Sequence, residues 1–202
     1  GLGRAGWDIH VAAMRGRKDF AISDVVDLEP ARLAEAKAEF GCHTWRDWRR
    51  FLRESDCELV VIATQSHDHA PQSIAAMRAG KHVLVEKPMA TNLRDVDRMI
   101  AVARETGRLL TIHQSARFAQ DYLHIQEVIK SGKLGKVFFV RRGGYGFHRR
   151  RDWQTLRKYG GGQLNNTAVH MIDQVVQLLG SPPQAAFGDL QQIINPGDVR
   201  TT

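Results

Sequence analysis

Apolar stretches alternate with helix-favouring stretches over roughly the first 115 residues of the 202-residue chain. The strand predicted at 58–63 contains the unbroken apolar run Leu59 to Ala63, which is typical of a strand covered on both faces of a parallel sheet. Further strands are predicted at 20–26, 82–85 and 109–112. Helices are predicted at 7–14, 30–41, 48–52, 71–79 and 92–106. This order predicts an α/β fold with a doubly wound parallel sheet, in which ligands bind at the carboxyl ends of the strands.

The alternation ends near residue 115. After that point the pattern predicts a helix at 117–131, strand residues at 137–142 and a helix at 169–179. We interpret this part as the beginning of an α+β domain that the chain does not complete. The predicted domains are a Rossmann domain at residues 1–115 and a truncated substrate and oligomerisation domain at residues 116–202.

A glycine-rich segment stands at the very start of the chain, with no strand in front of it. In a doubly wound sheet such a segment follows the first strand, which lies near the middle of the sheet. We therefore expect that the first strand is missing and that the chain is a truncated form of a longer protein.

The composition is that of a soluble globular protein, with 43% hydrophobic and 25% charged residues. No apolar stretch approaches the roughly 20 residues of a membrane-spanning helix, and the N-terminus lacks the pattern of a signal peptide. Cys42 and Cys57 do not form a Cys-x-x-Cys motif, so we expect reduced thiols rather than a disulfide framework or a zinc site. These observations predict a cytoplasmic protein with no membrane partner.

The net charge is +7, and arginines crowd the segment from Arg141 to Arg151. Such a cluster can bind nucleic acid, but it can also be a solvated loop or serve an anionic substrate or a subunit contact. Because charge alone has low specificity, we expect no specific nucleic-acid partner.

Gly1, Gly3 and Gly6 form the pattern Gly-x-Gly-x-x-Gly, in which a tight turn lets a pyrophosphate rest on the N-terminus of the next helix. Alone the pattern is weak, because many glycine turns hold no ligand. Asp27 lies about 20 residues further on, at the end of a predicted strand, where a carboxylate can bind ribose hydroxyls. Together they predict a dinucleotide site. The carboxylate would repel a 2′-phosphate, which favours NAD over NADP, although the nearby Arg32 weakens this preference.

The most specific motif is Glu86-Lys87-Pro88, which follows a predicted strand. Three other segments accompany it: Ala63-Thr64 with His69, Arg117-Phe118, and Gly160 through His170 to Asp173. Together these segments resemble the glucose-fructose oxidoreductase and inositol dehydrogenase (Gfo/Idh/MocA) family over nearly the whole chain. Lys87 alone would be read as a surface lysine and His170 as a core histidine, but their joint occurrence in matching contexts favours the family.

The resemblance implies a lysine and a histidine, Lys87 and His170, on either side of the carbon that exchanges hydride with the nicotinamide. One of them moves the hydroxyl proton, for which both side chains are suited. The resemblance also implies that Thr64, His69, Glu86 and Lys87 contact the cofactor. It implies that Arg117 and Asp173 contact the substrate.

One catalytic position departs from the family pattern. Asn166 stands where the family often has an aspartate, one helical turn before His170. An asparagine can orient an imidazole, but it cannot stabilise an imidazolium as a charge would. Gln65 and Ser66 also replace a commoner Pro-Asn pair. The details of the proton relay are therefore open.

His67 and His69 lie two residues apart around Asp68, which could suggest a metal site. Catalytic zinc normally takes three protein ligands, and the sequence has no convincing third ligand cluster. We therefore expect no metal, and we expect His69 to line the cofactor loop or to cap the following helix.

The leading functional hypothesis is an NAD-dependent dehydrogenase that acts on a secondary alcohol of a sugar, inositol or related polyol, a substrate class implied by the resemblance. We expect this protein to be a homo-oligomer. Two alternatives stay open. One is an NAD-dependent glycosidase or epimerase that oxidises its substrate transiently, and the other is a ligand-sensing regulator without enzymatic activity.

Overall fold

A computed structural model of the chain divides into two units, Gly1–His113 and Gln114–Thr202. The first unit is built from parallel strands that are separated by helices. The structure describes residues 1–144, 146, 149–191 and 196–199. The strands are β1 (Asp24–Val26), β2 (His43–Trp45), β3 (Leu59–Ile62), β4 (His82–Glu86) and β5 (Leu110–His113). β1 pairs with β2, while β3, β4 and β5 form a second sheet in that order. All these pairings are parallel, so the carboxyl ends of paired strands lie at the same edge.

Residues that favour helix starts and helix ends lie at the ends of several helices of the first unit. α1 starts as a π-helix at Ala5–Val11 and continues as an α-helix at Ala12–Met14. The other α-helices are α2 (Pro30–Phe40), α3 (Trp48–Glu54), α4 (His69–Arg78) and α5 (Leu93–Thr106). α2 begins with a proline, whose fixed φ suits the first helical turn, and ends at Gly41 with a left-handed φ of 64°. Asn92 caps α5 by accepting a hydrogen bond from the backbone N–H of Asp95.

Buried apolar side chains hold the helices against the strands. Met77 of α4, Met99 of α5, and Val83 and Val85 of β4 are 0% exposed and belong to one cluster. A smaller cluster joins α1, α2 and β1. Since a close-packed interior resists displacement, the packing fixes the positions of the strand ends at which the candidate site lies.

The second unit is helical where the structure describes regular secondary structure. Its α-helices are α6 (Gln120–Lys130) and α7, which starts as a π-helix at Leu164–Ala168 and continues at Val169–Leu179. Short 3₁₀ turns occupy Ser115–Phe118, Trp153–Thr155 and Arg157–Tyr159.

The predicted α/β class with parallel strands is confirmed, with differences in detail. Two sheets are present among the described residues rather than one continuous sheet. The strand predicted at 20–26 is limited to β1, because Phe20 is 48% exposed and does not reach the core. The short strand β2 was not predicted. Residues 137–142 are all described and form no strand, and Phe138 and Phe139 there are 89% and 71% exposed.

Candidate functional site

The glycine loop packs closely against itself and against the end of β3. A methyl group on Gly6 would overlap the backbone carbonyl oxygen of Gly1, and one on Gly1 would lie 3.0 Å from the carbonyl oxygen of Ala63. A side chain is therefore excluded at Gly6 and is crowded at Gly1. A methyl group on Gly3, in contrast, would meet no atom of the described chain within 4 Å. In dinucleotide loops the second glycine is the one whose backbone the pyrophosphate approaches, so this geometry fits such a ligand.

Asp27 follows β1 and is bound to the glycine loop. Its Oδ2 accepts a hydrogen bond of 2.6 Å from the backbone N–H of Leu2, and its Oδ1 accepts one of 2.9 Å from that of Glu29. The guanidinium of Arg32 lies 3.5 Å from Oδ1. Burial alone would raise the pKa of Asp27, but the two backbone N–H groups and the nearby positive charge outweigh it and lower the pKa. Asp27 is therefore ionised at neutral pH, and its carboxylate can accept hydrogen bonds from ribose hydroxyls.

Glu86 ends β4 with its carboxylate turned into the protein. Its Oε1 lies 2.9 Å from Nε2 of His10 in α1 and 2.8 Å from Nδ1 of His113 at the end of β5. Its Oε2 accepts a bond of 3.2 Å from the backbone N–H of Lys87. Burial would raise the pKa of Glu86, yet the hydrogen bond from His10 and the proximity of His113 lower it. We call these three side chains the His10–Glu86–His113 cluster.

The cluster has the donor set of a possible metal site, since two imidazoles and a carboxylate bind zinc in several enzymes. Its nitrogen-to-oxygen distances of 2.8 and 2.9 Å are those of direct hydrogen bonds. Hydrogen bonds from the two imidazoles to the carboxylate are therefore sufficient to explain the geometry of the cluster. The absence of a metal stays a prediction. The sequence did not point to His10 or His113, although His113 directly follows a predicted strand, the position at which ligand contacts are expected.

Lys87 directly follows β4, and its backbone is tied to the cluster through Glu86. Its peptide bond to Pro88 is cis. Lys87 therefore lies, as expected, at the carboxyl end of a parallel strand, where doubly wound sheets bind their ligands.

His69 joins the loop after β3 to the segment after β4. It is 1% exposed, with Nδ1 at 2.7 Å from the carbonyl oxygen of Pro88 and Nε2 at 3.2 Å from that of Thr64. Burial lowers the pKa of His69 and outweighs both carbonyl contacts. The Thr64 hydroxyl in turn donates to Oε1 of Gln72 at 2.9 Å. These two predicted cofactor residues thus shape the loop through bonds to the protein.

His170, in α7 of the second unit, contacts a glutamine rather than a carboxylate through Nδ1. The partner atom is Oε1 of Gln114, which directly precedes the 3₁₀ turn at Ser115–Phe118. Oδ1 of Asn166 accepts a hydrogen bond of 2.9 Å from Nε2 of Gln154. The orienting role of Asn166 stays a prediction. Gln114 was missed because it is 56 residues from His170, although it also lies just beyond a predicted strand.

Arg117 and Asp173, the predicted substrate residues, bind each other. Nε and Nη2 of Arg117 donate to the two carboxylate oxygens of Asp173 at 2.8 and 2.6 Å. The hydrogen bonds from Arg117 to Asp173 raise the pKa of the guanidinium. A substrate contact by either residue stays a prediction, and it would have to coexist with this bidentate ion pair.

Part of the arginine-rich segment is paired within the protein. Nε of Arg142 donates to Oε1 of Gln174 at 2.9 Å, and Arg150 forms an ion pair of 2.5 Å with Asp152. Residues 145, 147 and 148 of this segment lie outside the described residues. The expectation of no specific nucleic-acid partner stays a prediction. Among the residues that the structure describes, none of the helices combines the length and the apolarity needed to cross a bilayer.

Two family models match the chain. Residues 1–114 match the model described as "Oxidoreductase family, NAD-binding Rossmann fold", and residues 122–202 match "GFO/IDH/MocA C-terminal domain". The predicted family and the NAD-binding Rossmann domain are thereby confirmed.

Curated relatives and solved structures are similar over much of the chain. A 1-carboxy-3-chloro-3,4-dihydroxycyclohexa-1,5-diene dehydrogenase of Comamonas testosteroni is 36% identical over 76% of this chain and 39% of its own length. The myo-inositol 2-dehydrogenase of Thermotoga maritima is 27% identical over 100% of this chain and 61% of its own. The structure of the WlbA dehydrogenase from Bordetella pertussis, in complex with NADH and UDP-GlcNAcA, is 29% identical, with a TM-score of 0.76 over 89% of this chain and 58% of its own. The chain thus spans about two fifths to three fifths of the length of these proteins.

Proposed function

Because the chain belongs to the Gfo/Idh/MocA oxidoreductase family, we propose that the whole protein is an NAD-dependent dehydrogenase. Its reaction interconverts a secondary alcohol and a ketone on a sugar, an inositol or a related polyol. The substrate class is supported by the names of the relatives, which include a myo-inositol dehydrogenase and a D-glucoside 3-dehydrogenase. The observation that carries the proposal is the ionised Asp27 carboxylate, bound to the glycine loop at the end of β1.

The residues around the glycine loop fit a dinucleotide. The backbone is open at Gly3, while Gly1 and Gly6 permit the tight turn that precedes α1. Asp27 would accept hydrogen bonds from the adenosine ribose and would repel a phosphate at its 2′ position. NAD is therefore preferred over NADP in this proposal. The bound nicotinamide would supply the hydride acceptor or donor.

Lys87 and His170 are the proposed catalytic residues. A lysine donates hydrogen bonds and carries a positive charge, so Lys87 would bind the substrate oxygen and stabilise the negative charge that develops on it. An imidazole can accept the hydroxyl proton near neutral pH, which suits His170 as the general base. Asn166 would help to orient that imidazole. Thr64, His69 and Glu86 would shape the cofactor side of the site.

The test uses the full-length protein and two cofactors. Equilibrium titration should give tighter binding of NADH than of NADPH, and Asp27→Ala should narrow the difference. Lys87→Ala and His170→Ala should each lower turnover on a panel of inositols and glucosides by at least about 100-fold while sparing NADH binding. Lys37→Ala and His124→Ala, at exposed positions, serve as matched controls.

Four results would change this proposal. Equal or tighter binding of NADPH would contradict the role of Asp27. Product formation without net accumulation of NADH would favour the redox-neutral glycosidase or epimerase. Normal turnover in both alanine variants would end the catalytic assignment, and ligand binding without turnover by the wild type would favour a regulator. A cytoplasmic location and a homo-oligomeric state are further parts of the proposal.

A further inference from the structure

The side-chain amide of Gln114 is oriented by two different neighbours in the second unit. Its Nε2 donates to the backbone carbonyl oxygen of Val169 at 3.5 Å, and its Oε1 faces Nδ1 of His170. A carbonyl oxygen can only accept a hydrogen bond, so the NH₂ end of the amide must face Val169. The oxygen end is then left for the imidazole. The two contacts together therefore determine which end of the Gln114 amide is the oxygen and which is the nitrogen.

The orientation of the amide decides which nitrogen of His170 carries the proton. Because Oε1 of Gln114 can only accept, Nδ1 of the facing imidazole must be the donor. A neutral imidazole has one N–H, so the lone pair then lies on Nε2. Nε2 is therefore the atom of His170 that can take up a proton.

The side chain that faces Nδ1 of His170, Gln114, is a neutral amide. Asn166, one turn earlier, is also an amide and is bonded to Gln154. Arg117 forms an ion pair with Asp173 of α7, and Arg142, which also bonds to Gln174 of α7, lies 3.5 Å from Asp121. A carboxylate at the position of Gln114 would stabilise the imidazolium, whereas an amide oxygen orients the ring without adding a charge.

We propose that Gln114 is the positioning residue of His170. Its amide oxygen holds the Nδ1–H tautomer, so that Nε2 is the general base. In the alcohol-to-ketone direction the O–H bond of the substrate breaks and an N–H bond forms at Nε2. The carbon that bears this hydroxyl group transfers its hydride to the nicotinamide and becomes the ketone carbon. The catalytic part of this inference rests on the proposed function, but the tautomer and the pKa of His170 do not.

The direct test measures the protonation of His170 in the full-length protein without cofactor. Diethylpyrocarbonate modifies neutral imidazole, so its rate of reaction at His170, followed by mass spectrometry across pH, gives the pKa of this residue. Gln114→Glu should raise that pKa by about one unit or more, because a carboxylate stabilises the imidazolium. Gln120→Glu, at an exposed position of α6, adds the same charge and should leave the pKa unchanged. His124, which is 75% exposed, is an internal reference in every digest.

A second measurement follows turnover. The pH profile of kcat/KM for Gln114→Glu should move upward with the pKa of His170. Gln114→Leu removes the acceptor and should lower kcat by about tenfold or more with little change in the KM for NADH. An unchanged circular dichroism spectrum and melting temperature of each variant show that the fold is retained.

The outcomes separate this inference from the proposed function. An unchanged pKa of His170 in Gln114→Glu would overturn the positioning role, even if His170→Ala is inactive. Normal turnover by His170→Ala would contradict the proposed catalytic role of His170, while a raised pKa in Gln114→Glu would still support the contact with Gln114.

Discussion

Replacing Glu86 by glutamine tests the His10–Glu86–His113 cluster with almost no change in shape. In the wild type, two imidazole N–H groups and the backbone N–H of Lys87 donate to the carboxylate. In Glu86→Gln the remaining oxygen can still accept from both imidazoles, but without a charge. The amide NH₂ then faces the N–H of Lys87, so that two donors oppose each other.

The expected loss of stability follows from these three bonds. A hydrogen bond to a charged group contributes about 1 kcal/mol more than a neutral one, and this loss applies to both imidazole bonds. A buried N–H that loses its partner costs about 1 to 3 kcal/mol, and the half-buried N–H of Lys87 should cost about 1 to 2 kcal/mol. The free energy of unfolding should therefore fall by about 3 to 4 kcal/mol at pH 7, which lies within the range for the removal of one partner from a buried ion pair.

Urea titration of the full-length protein, followed by tryptophan fluorescence, measures this change. Glu54→Gln is the matched control, because Glu54 pairs with Arg50 at the surface and its replacement should have little effect. The folded pKa of Glu86 lies below its ordinary value of 4.5, so the stabilisation is fully present above that value. The difference between wild type and Glu86→Gln should therefore narrow as the pH falls through the lowered pKa. Equal stability of the two proteins at pH 7 would refute the reasoning.

Two other substitutions test the loop and the core. Gly6→Ala should weaken NADH binding by about tenfold or more, because its methyl group would overlap the Gly1 carbonyl oxygen and displace the loop; an unchanged dissociation constant in equilibrium titration would contradict this. Met99→Ala should lower the free energy of unfolding by about 2 to 5 kcal/mol, since Met99 is 0% exposed. Leu93→Ala, at an 80% exposed position of the same helix, should change it by about 0.5 kcal/mol or less, and equal effects of the two would argue against the packing described.

The elements that could be predicted from sequence are those with strong local signals. α2 has a proline at its start and a glycine after its end, and β4 contains the apolar run Val83 to Val85. β2 has only three residues, His43–Trp45, which is too short for a hydrophobic period to be visible. The apolar residues at 137–140 have the composition of a strand, but a strand requires a second segment to pair with. Local pattern cannot supply that partner.

The candidate site was predictable only where its motifs are continuous in sequence. The glycine loop and Glu86-Lys87-Pro88 are continuous, and Asp27 lies at an expected distance from the loop. His10 and Glu86, in contrast, are 76 residues apart, and Gln114 and His170 are 56 residues apart. Such contacts depend on how strands and helices are arranged in space. The sequence therefore predicted which residues carry chemistry better than it predicted which residues hold them in place.

The parallel pairing of the strands has a consequence for how the first unit forms during folding. Asp24 pairs with His43, Leu59 with His82 and Val83 with Leu110, so each ladder among the described residues joins segments with an intervening helix. No hairpin in this unit can therefore nucleate folding by a short loop closure, and the entropy of a long closure must be overcome before the first inter-strand bond forms. Helix docking and strand pairing should then occur together. Kinetically, a substitution that weakens the packing of α4 or α5 should slow the formation of β3, β4 and β5 as a group.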